Sequence, residues 1–281
     1  MKPETAALIG GAFNAGSWPR AILFDLDDTL FDHRRASALA LTAMHAAHAP
    51  DLAFERFACK HAEVLEIFHA RFLAGEFTLD QARVARMQAL FSAFDREINI
   101  ATAEGAARLY REQHQANRSL VSGATELLDA LHDHCRLGIV TNNSSAEQIE
   151  KLRALNIASY FDAVVISEDV GVNKPDPKIF TIALDRIGVA AQDAVFIGDN
   201  WTSDIVGALN VGMTAVWLDR AGKTLPLERI VEHKWPDRLT SAGVTPSRVA
   251  TITSLSPTAS AVAAIKTVFT HRHHRTLEPT A

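Results

Sequence analysis

The chain has 281 residues and a formal net charge of −5, and hydrophobic residues make up 48% of it. This composition is typical of globular proteins, and the mildly acidic charge argues against a protein that coats nucleic acid. Two cysteines are too few for a disulfide scaffold, and no apolar run reaches the roughly 18 residues of a membrane span. We therefore expect a cytoplasmic protein with neither nucleic-acid nor membrane partners, and nothing in the sequence predicts its oligomeric state.

Residues 1–20 contain an apolar piece too short for a secretory signal, and we interpret them as a flexible leader. Short apolar runs rich in Val, Ile or Phe then occur at 21–24, 137–140, 163–166, 194–197 and 215–218. They do not alternate with polar residues, which is the pattern of strands buried on both faces of a parallel sheet. Helical patterns at 146–155, 178–187 and 203–211 provide the crossovers. The sequence thus predicts an α/β protein with a doubly wound parallel sheet.

A long segment between the first two runs contains no comparable strand. It reads as helices at 34–47, 52–73, 79–94 and 101–115, and a further helix at 124–132 leads back to the sheet. An insertion of this size is more than a loop, so we expect a helical domain over 33–120, above the strand ends of a core formed by 21–32 and 121–270. It is either extra bulk or a lid, and its position favours a lid.

The C-terminal part is less regular. Residues 222–249 look like an inserted loop with short helical pieces, 249–252 resemble a final edge strand, and 259–269 a final helix. The tail at 271–281 is rich in His and Arg. We interpret it as a solvated tail rather than a metal site.

Polar residues directly after the predicted strands carry the chemical information. The first run opens into Asp25-Leu26-Asp27-Asp28-Thr29, and residues two apart on an extended chain point the same way. Asp25 and Asp27 are therefore candidates for one site, although Asp and Thr also form turns and helix caps.

Three further strand ends each supply one polar feature. Thr141 and Asn142 suit an anion or an N-cap. Lys174 precedes Pro175 and Pro177 in a turn, and Gly198 precedes Asp199, with Asp204 five residues later. Carboxylates, a hydroxyl and a lysine at four strand ends are together the ingredients of phosphoryl transfer with a hard cation such as Mg²⁺. The cation and the lysine would offset the charge of the carboxylates and a dianionic phosphate.

On these motifs the chain resembles the haloacid dehalogenase superfamily of phosphohydrolases. Motif one is Asp25 to Thr29, motif two is Thr141 with Asn142, motif three is Lys174, and motif four is Gly198-Asp199 with Asp204. The helical insertion looks like the family's type-one cap. Residues 166–171 are similar to the branch of pyrimidine nucleotidases and acylneuraminate phosphatases.

The resemblance implies roles for these residues. Asp25 is the nucleophile that forms an aspartyl-phosphate, and Asp27 is the acid and then the base, neutral at first while Asp25 is ionised. Thr141, Asn142 and Lys174 bind phosphate. Mg²⁺ is held by Asp25, the Asp27 backbone carbonyl and Asp199, with Asp204 either a direct ligand or a partner of its waters.

The substrate is expected to be a small phosphorylated molecule, a nucleoside monophosphate or a sugar phosphate. Candidate pocket contacts are Phe31, His33, Arg83 and Arg86; the two arginines lie three apart on a predicted helix, so they share a face or are simply solvated. A phosphotransferase or phosphomutase, and a non-catalytic binding protein on the same fold, stay open as alternatives.

Overall fold

The computed structural model describes residues 18–221 and 248–275, with side chains up to residue 270. Six parallel strands form one sheet in the order β3-β2-β1-β4-β5-β6. Their bounds are Ala21–Phe24 (β1), Arg136–Thr141 (β2), Ala163–Ile166 (β3), Ala194–Gly198 (β4), Thr214–Leu218 (β5) and Val249–Ile252 (β6). The predicted strands and the edge position of the last one are confirmed.

Both faces of the sheet are covered, which explains why its strands lack polar alternation. Along β1, Ile22 and Phe24 pack into one hydrophobic cluster, whereas Ala21 and Leu23 pack into another on the opposite face. Successive side chains of a strand point to opposite faces, so a strand that is apolar throughout requires a layer on each side.

Helices provide those layers. Their bounds are His33–His48 (α1), Phe54–Leu73 (α2), Leu79–Ser92 (α3), Ile100–Ala116 (α4), Ala124–His132 (α5), Ser145–Ala154 (α6), Ser167–Val170 (α7), Pro177–Ile187 (α8), Gly207–Asn210 (α9) and Thr258–Arg275 (α10). The helical insertion, which comprises α1 to α4, has a hydrophobic core of its own that includes Met44, Phe57, Leu90 and Tyr110.

The helix predicted at 203–211 differs from the structure. A π-helical turn, Trp201–Val206, comes first, and α9 follows it. The Asn200 side chain accepts hydrogen bonds from the backbone N–H groups of Thr202 and Ser203, which starts the turn earlier than the apolar pattern indicated. Such wide turns are frequent at functional sites.

Several expectations lie outside the described residues. They are the leader up to residue 17, the inserted loop at 222–247 and the end of the tail at 276–281. In the parts of the chain that the structure describes, no helix is long and apolar enough to cross a membrane.

Candidate active site

The carboxyl edge of the sheet gathers the polar residues that the sequence singled out. β1 lies between β2 and β4, where the strand order reverses, and open α/β sheets bind their ligands in the crevice at such a point. The backbone N–H of Asp25 donates to the carbonyl oxygen of Ile197 at 2.9 Å, which sets the first motif level with the end of β4. Thr141 ends β2 and Gly198 ends β4, so three motifs meet on neighbouring strands.

Asp25 is almost completely buried and is held by Lys174 of motif three and by Thr29 of its own motif. Lys174 Nζ lies 2.6 Å from Asp25 Oδ1 and 2.8 Å from Asp204 Oδ1, and Thr29 Oγ1 donates to Asp25 Oδ2 at 3.1 Å. Burial raises the pKa of Asp25 well above its usual value. Lys174 opposes this shift, whereas the charges of Asp204 and Asp199 add to it.

Lys174 remains a cation in this buried position. Burial alone would lower its pKa, but the carboxylates of Asp204 and Asp25 outweigh that effect and raise the pKa above its usual value. Lys174 is 5% exposed, so it is a buried member of this cluster and not a solvated lysine in a surface turn.

Three carboxylates form an acidic cluster that fits a divalent cation. Asp25, Asp199 and Asp204 each offer an oxygen within 4.8 Å of the others. Burial, the charge of Asp204 and that of Asp28 together raise the pKa of Asp199 to about 7, so these acids repel each other when no cation lies among them. Oxygen donors with excess negative charge are the ligands that Mg²⁺ prefers.

The loop after β4 fixes the positions of Asp199 and Asp204. A Cβ atom at Gly198 would lie 2.6 Å from Asp204 Cγ, so only glycine lets this carboxylate approach the strand end. The backbone N–H of Asn200 donates to Asp204 Oδ2 at 3.0 Å, and Trp217 Nε1 donates to the carbonyl oxygen of Asp199 at 2.9 Å. Backbone and indole contacts thus hold both acids in place.

Asp27 has a different set of partners from Asp25. Lys151 Nζ lies 2.6 and 2.9 Å from its two carboxylate oxygens, and Gln148 Nε2 donates to Asp27 Oδ2 at 3.1 Å. Burial raises the pKa of Asp27, but Lys151, aided by His33 and Gln148, lowers it well below the usual range. Lys151 therefore favours the ionised form of Asp27, whereas burial favours a proton on Asp25. The order expected from the sequence, an ionised Asp25 and a neutral Asp27, applies with a metal ion on Asp25 and stays a prediction.

Motifs two and three are tied to each other through Asn142. Its side-chain amide donates to the carbonyl oxygen of Lys174 at 3.0 Å, and its side-chain oxygen accepts from the Lys174 backbone N–H at 2.8 Å. Thr141 Oγ1 accepts from Gln148 Nε2 at 2.6 Å, which links motif two to the Asp27 environment. Side chains from distant parts of the chain therefore fix one another.

A cavity of about 1000 Å³ lies between the helical insertion and the carboxyl edge of the sheet. Of the expected pocket contacts, His33, Arg83 and Arg86 line it. The prediction for Phe31 is wrong. Its side chain is 0% exposed, because its backbone pairs with Asp27 and Leu120 and turns the ring into the core.

Sequence reasoning missed Gln148, Lys151 and Arg34. Gln148 and Lys151 lie three apart on α6, directly after motif two, and this spacing was a usable sign of one shared face. Arg34, whose NH2 atom lies 2.9 Å from Asp199 Oδ2, had no comparable signal, since 165 residues separate the two.

Comparisons with known proteins agree with this geometry. Residues 22–218 match the model of the haloacid dehalogenase-like hydrolase family. The chain is 33% identical over 202 residues to the glyceraldehyde 3-phosphate phosphatase of Pyrococcus abyssi, covering 70% of this chain and 80% of the relative. It is 29% identical over 214 residues to the N-acylneuraminate-9-phosphatase of Mus musculus, covering 73% and 84%. The HAD-hydrolase YfnB of Bacillus subtilis, solved bound to magnesium, superposes with a TM-score of 0.68 at 26% identity, covering 88% and 99%.

Proposed function

The chain belongs to the haloacid dehalogenase-like hydrolase family and is a phosphoric monoester hydrolase, and we propose that it hydrolyses a small phosphate monoester through an aspartyl-phosphate on Asp25, with Mg²⁺ as cofactor. The observation that carries this proposal is the buried Asp25 carboxylate beside Lys174, Asp199 and Asp204. One nucleophile, one fixed cation and two further acids are thereby placed at the mouth of the cavity.

Asp25 attacks phosphorus, and the bond from phosphorus to the leaving oxygen breaks. Lys174 offsets charge on Asp25 and on the phosphoryl oxygens, while Thr141 and the Asn142 backbone N–H bind those oxygens. Water then hydrolyses the aspartyl-phosphate. Splitting one displacement into two lowers each barrier, and preorganised charge at fixed positions supplies most of the acceleration.

Asp27 gives a proton to the leaving oxygen and later removes one from the attacking water. Its pairing with Lys151 favours the ionised form, which suits the second step directly. For the first step it needs a proton, and the arrival of a dianionic phosphate nearby raises the proton affinity of the carboxyl. Gln148 keeps the side chain aimed in both states.

Asp25, Asp199, Asp204 and the backbone carbonyl of Asp27 would hold Mg²⁺. When bound, this ion supplies positive charge that keeps Asp25 ionised and neutralises phosphate oxygens. The excess of carboxylates over cations at this edge supports the assignment.

The helical insertion acts as a cap over 33–120, and the core comprises 21–32 and 121–270. Arg83 of α3 contacts Glu147 of α6 at 2.7 Å, so the cap meets the core at the wall of the cavity, and closure of the cap over a bound substrate would exclude water. The named substrates of the relatives, a triose phosphate and an acylneuraminate phosphate, support a small phosphorylated metabolite such as a sugar phosphate. The sparse use of cysteine supports a cytoplasmic setting.

The decisive test replaces the nucleophile. Asp25→Asn keeps the shape of the side chain but cannot form the ester, so we expect release of inorganic phosphate from p-nitrophenyl phosphate to fall at least about 10³-fold. Asp193→Asn, the same change at the opposite edge of the sheet, is the matched control and should retain activity. Circular dichroism checks folding. A folded Asp25→Asn variant that turns over normally would refute the proposal.

Removing and restoring the metal ion tests the proposed cofactor. Treatment with EDTA should stop phosphate release, and added Mg²⁺ should restore it, because the acidic cluster repels substrate without a cation. If EDTA does not change turnover, the proposed role of Mg²⁺ is wrong. The role of Asp25 would still be tested separately by Asp25→Asn.

A further inference from the structure

Arg86 stands out among the arginines that line the cavity. Three others are paired with carboxylates: Arg34 lies 2.9 Å from Asp199, Arg83 2.7 Å from Glu147, and Arg118 2.9 Å from Glu150. A fourth, Arg111, lies 3.7 Å from Glu147. Within residues 18–221 and 248–275 no carboxylate forms a salt bridge with Arg86.

The guanidinium of Arg86 is also deeply buried. The residue is 9% exposed, and its Nε atom has no hydrogen-bond partner among the described residues. The ring of Tyr110 lies against it, with the ring centroid 4.9 Å from Arg86 Cζ. Burial lowers the pKa of the guanidinium, and the nearby charge of Arg83 adds to this effect. A cation–π contact offsets only part of the cost of burying a charge, so Arg86 lacks a counter-charge.

A row of rings connects Arg86 with the phosphoryl end of the cavity. Tyr110 stacks on His114 with centroids 6.2 Å apart, and His114 Nε2 lies 3.3 Å from His33 Nδ1. His33 in turn lies near Asp27, whose charge affects its pKa. A molecule with its phosphoryl group at Asp25 would therefore extend along these rings, with its other end toward Arg86.

Neighbouring imidazoles do not supply further cations there. Burial, together with the charges of His33 and Lys151, lowers the pKa of His114 to about 3, so its ring is neutral at physiological pH. His69 also lines the cavity, and its Nε2 atom is buried without a hydrogen-bond partner. The cavity thus offers one cation, Arg86, without a carboxylate partner among the described residues, and one polar atom, His69 Nε2, without a hydrogen-bond partner among them.

We propose that Arg86 binds a carboxylate on the leaving group, so that the substrate is the phosphate ester of a hydroxy acid or sugar acid. This inference rests on the proposed function and narrows its substrate class. The planar guanidinium of Arg86 can form two parallel hydrogen bonds with a carboxylate, and its single positive charge balances the single negative charge of that group. A second phosphate group carries more negative charge and would need further cations. Hydroxyl groups along the leaving group would meet His69.

Two matched substrate pairs test the inference. Each pair has the same carbon chain and exchanges a terminal carboxylate for CH₂OH: 3-phosphoglycerate with glycerol 3-phosphate, and 6-phosphogluconate with sorbitol 6-phosphate. For at least one chain length we expect kcat/KM to favour the acid by about 10- to 100-fold, the usual range for a hydrogen-bonded charge pair. In Arg86→Met this preference should vanish, and in Arg86→Lys it should be partly kept, while hydrolysis of p-nitrophenyl phosphate persists.

Control variants separate recognition from a structural role. Arg111→Met removes a positive charge from the same cavity wall and should leave the preference unchanged. Because Arg86→Met removes an unpaired buried charge, its Tm should rise by a few degrees; a structural arginine would give a lower Tm and equal losses on both members of a pair. That pattern, or faster turnover of fructose 1,6-bisphosphate than of both acids, would overturn the inference.

Calorimetric titration of Asp25→Asn with the same four compounds measures binding without turnover. Tighter binding of an acid than of its alcohol would support the role of Arg86 even if hydrolysis fails, and equal binding within both pairs would refute it. Absence of p-nitrophenyl phosphate hydrolysis in the wild type would count against the proposed function alone.

Discussion

Lys174 shows how much a single residue of this site depends on its partners. Its ammonium lies between two buried carboxylates, at 2.6 Å from Asp25 and 2.8 Å from Asp204. Such a pair costs desolvation on both sides, and its net stability is modest while both partners are present. Removing Lys174 costs much more stability, because the negative charges of Asp25 and Asp204 would then be buried side by side.

Lys174→Met should therefore damage both stability and activity. We expect the metal-free protein to lose about 3–5 kcal/mol of unfolding free energy. Turnover should fall at least about 100-fold, because a fixed positive charge is lost from the phosphoryl site. Denaturant unfolding and phosphate release measure the two effects. Lys178→Met, at an exposed position of α8, should match the wild type in both, and an equal loss there would contradict the assignment.

At the scale of elements, the site depends on how each strand ends. β4 ends at Gly198, where the chain must leave the sheet while the Asp204 carboxylate folds back against it. α6 begins after β2 and brings Gln148 and Lys151 to Asp27 on one helix face. One strand end thus shapes the acidic cluster that we propose binds Mg²⁺, and one helix shapes the surroundings of Asp27, the proposed acid–base residue.

Gly198→Ala should disturb the acidic cluster and leave the surroundings of Asp27 unchanged. The added Cβ would lie 2.6 Å from Asp204 Cγ, so that carboxylate must move. We expect the Mg²⁺ concentration for half-maximal activity to rise at least about 10-fold, the scale of lost outer support for a metal ligand. A magnesium titration of phosphate release measures it.

The control for this change is Gly105→Ala. Gly105 lies in α4, where an added Cβ would meet the end of the Arg108 side chain at an ordinary contact distance of 3.9 Å. Alanine should therefore stabilise the protein by about 0.5–1 kcal/mol and leave the titration unchanged. If Gly198→Ala shares the magnesium dependence of the wild type, the close approach of Asp204 does not matter for metal binding.

At the scale of the whole molecule, the acidic cluster lowers the stability of the folded protein when no metal ion is bound. The pKa of Asp199 is raised to about 7 by burial and by Asp204 and Asp28, whereas an unfolded aspartate has a pKa near ~3.9. Between these values the folded protein keeps a proton that the unfolded chain has lost, so the stability of the metal-free protein falls as pH rises. A bound cation reverses this, since it binds the folded state only.

Asp199→Asn should consequently be more stable than the wild type without Mg²⁺. At pH 8 we expect a gain of about 1–3 kcal/mol, which should nearly disappear at about pH 4, where Asp199 is protonated in the folded state and about half protonated in the unfolded chain. Saturating Mg²⁺ should raise the Tm of the wild type more than that of the variant. Thermal unfolding at both pH values, with and without Mg²⁺, measures these differences. A variant that is less stable at pH 8 without metal would contradict the electrostatic account.

Much of the fold could be read from local patterns. Buried strands appear as apolar runs, and β1 and β3 begin and end at the predicted residues, as does α5. Helix periodicity placed the long helices α1 to α4, α6 and α8 to within about two residues, because side-chain burial repeats along the chain with the period of the element. The last helix, predicted at 259–269, continues to Arg275, six residues beyond its predicted end and into the segment that was expected to be a solvated tail. At the π-helical turn, periodicity predicted the wrong starting residue, because the side-chain cap of Asn200 decides where the turn begins.

By itself the sequence determined the doubly wound sheet, the helical insertion and the four polar motifs, since each is a short pattern of neighbouring residues. Only the tertiary structure decided the partners of those motifs. Lys151 contacts Asp27 across 124 positions of the chain, Phe31 turns into the core, and Arg86 has no carboxylate partner among the described residues. Charge pairing and burial are relations between residues far apart in sequence, and they arise when the layers pack.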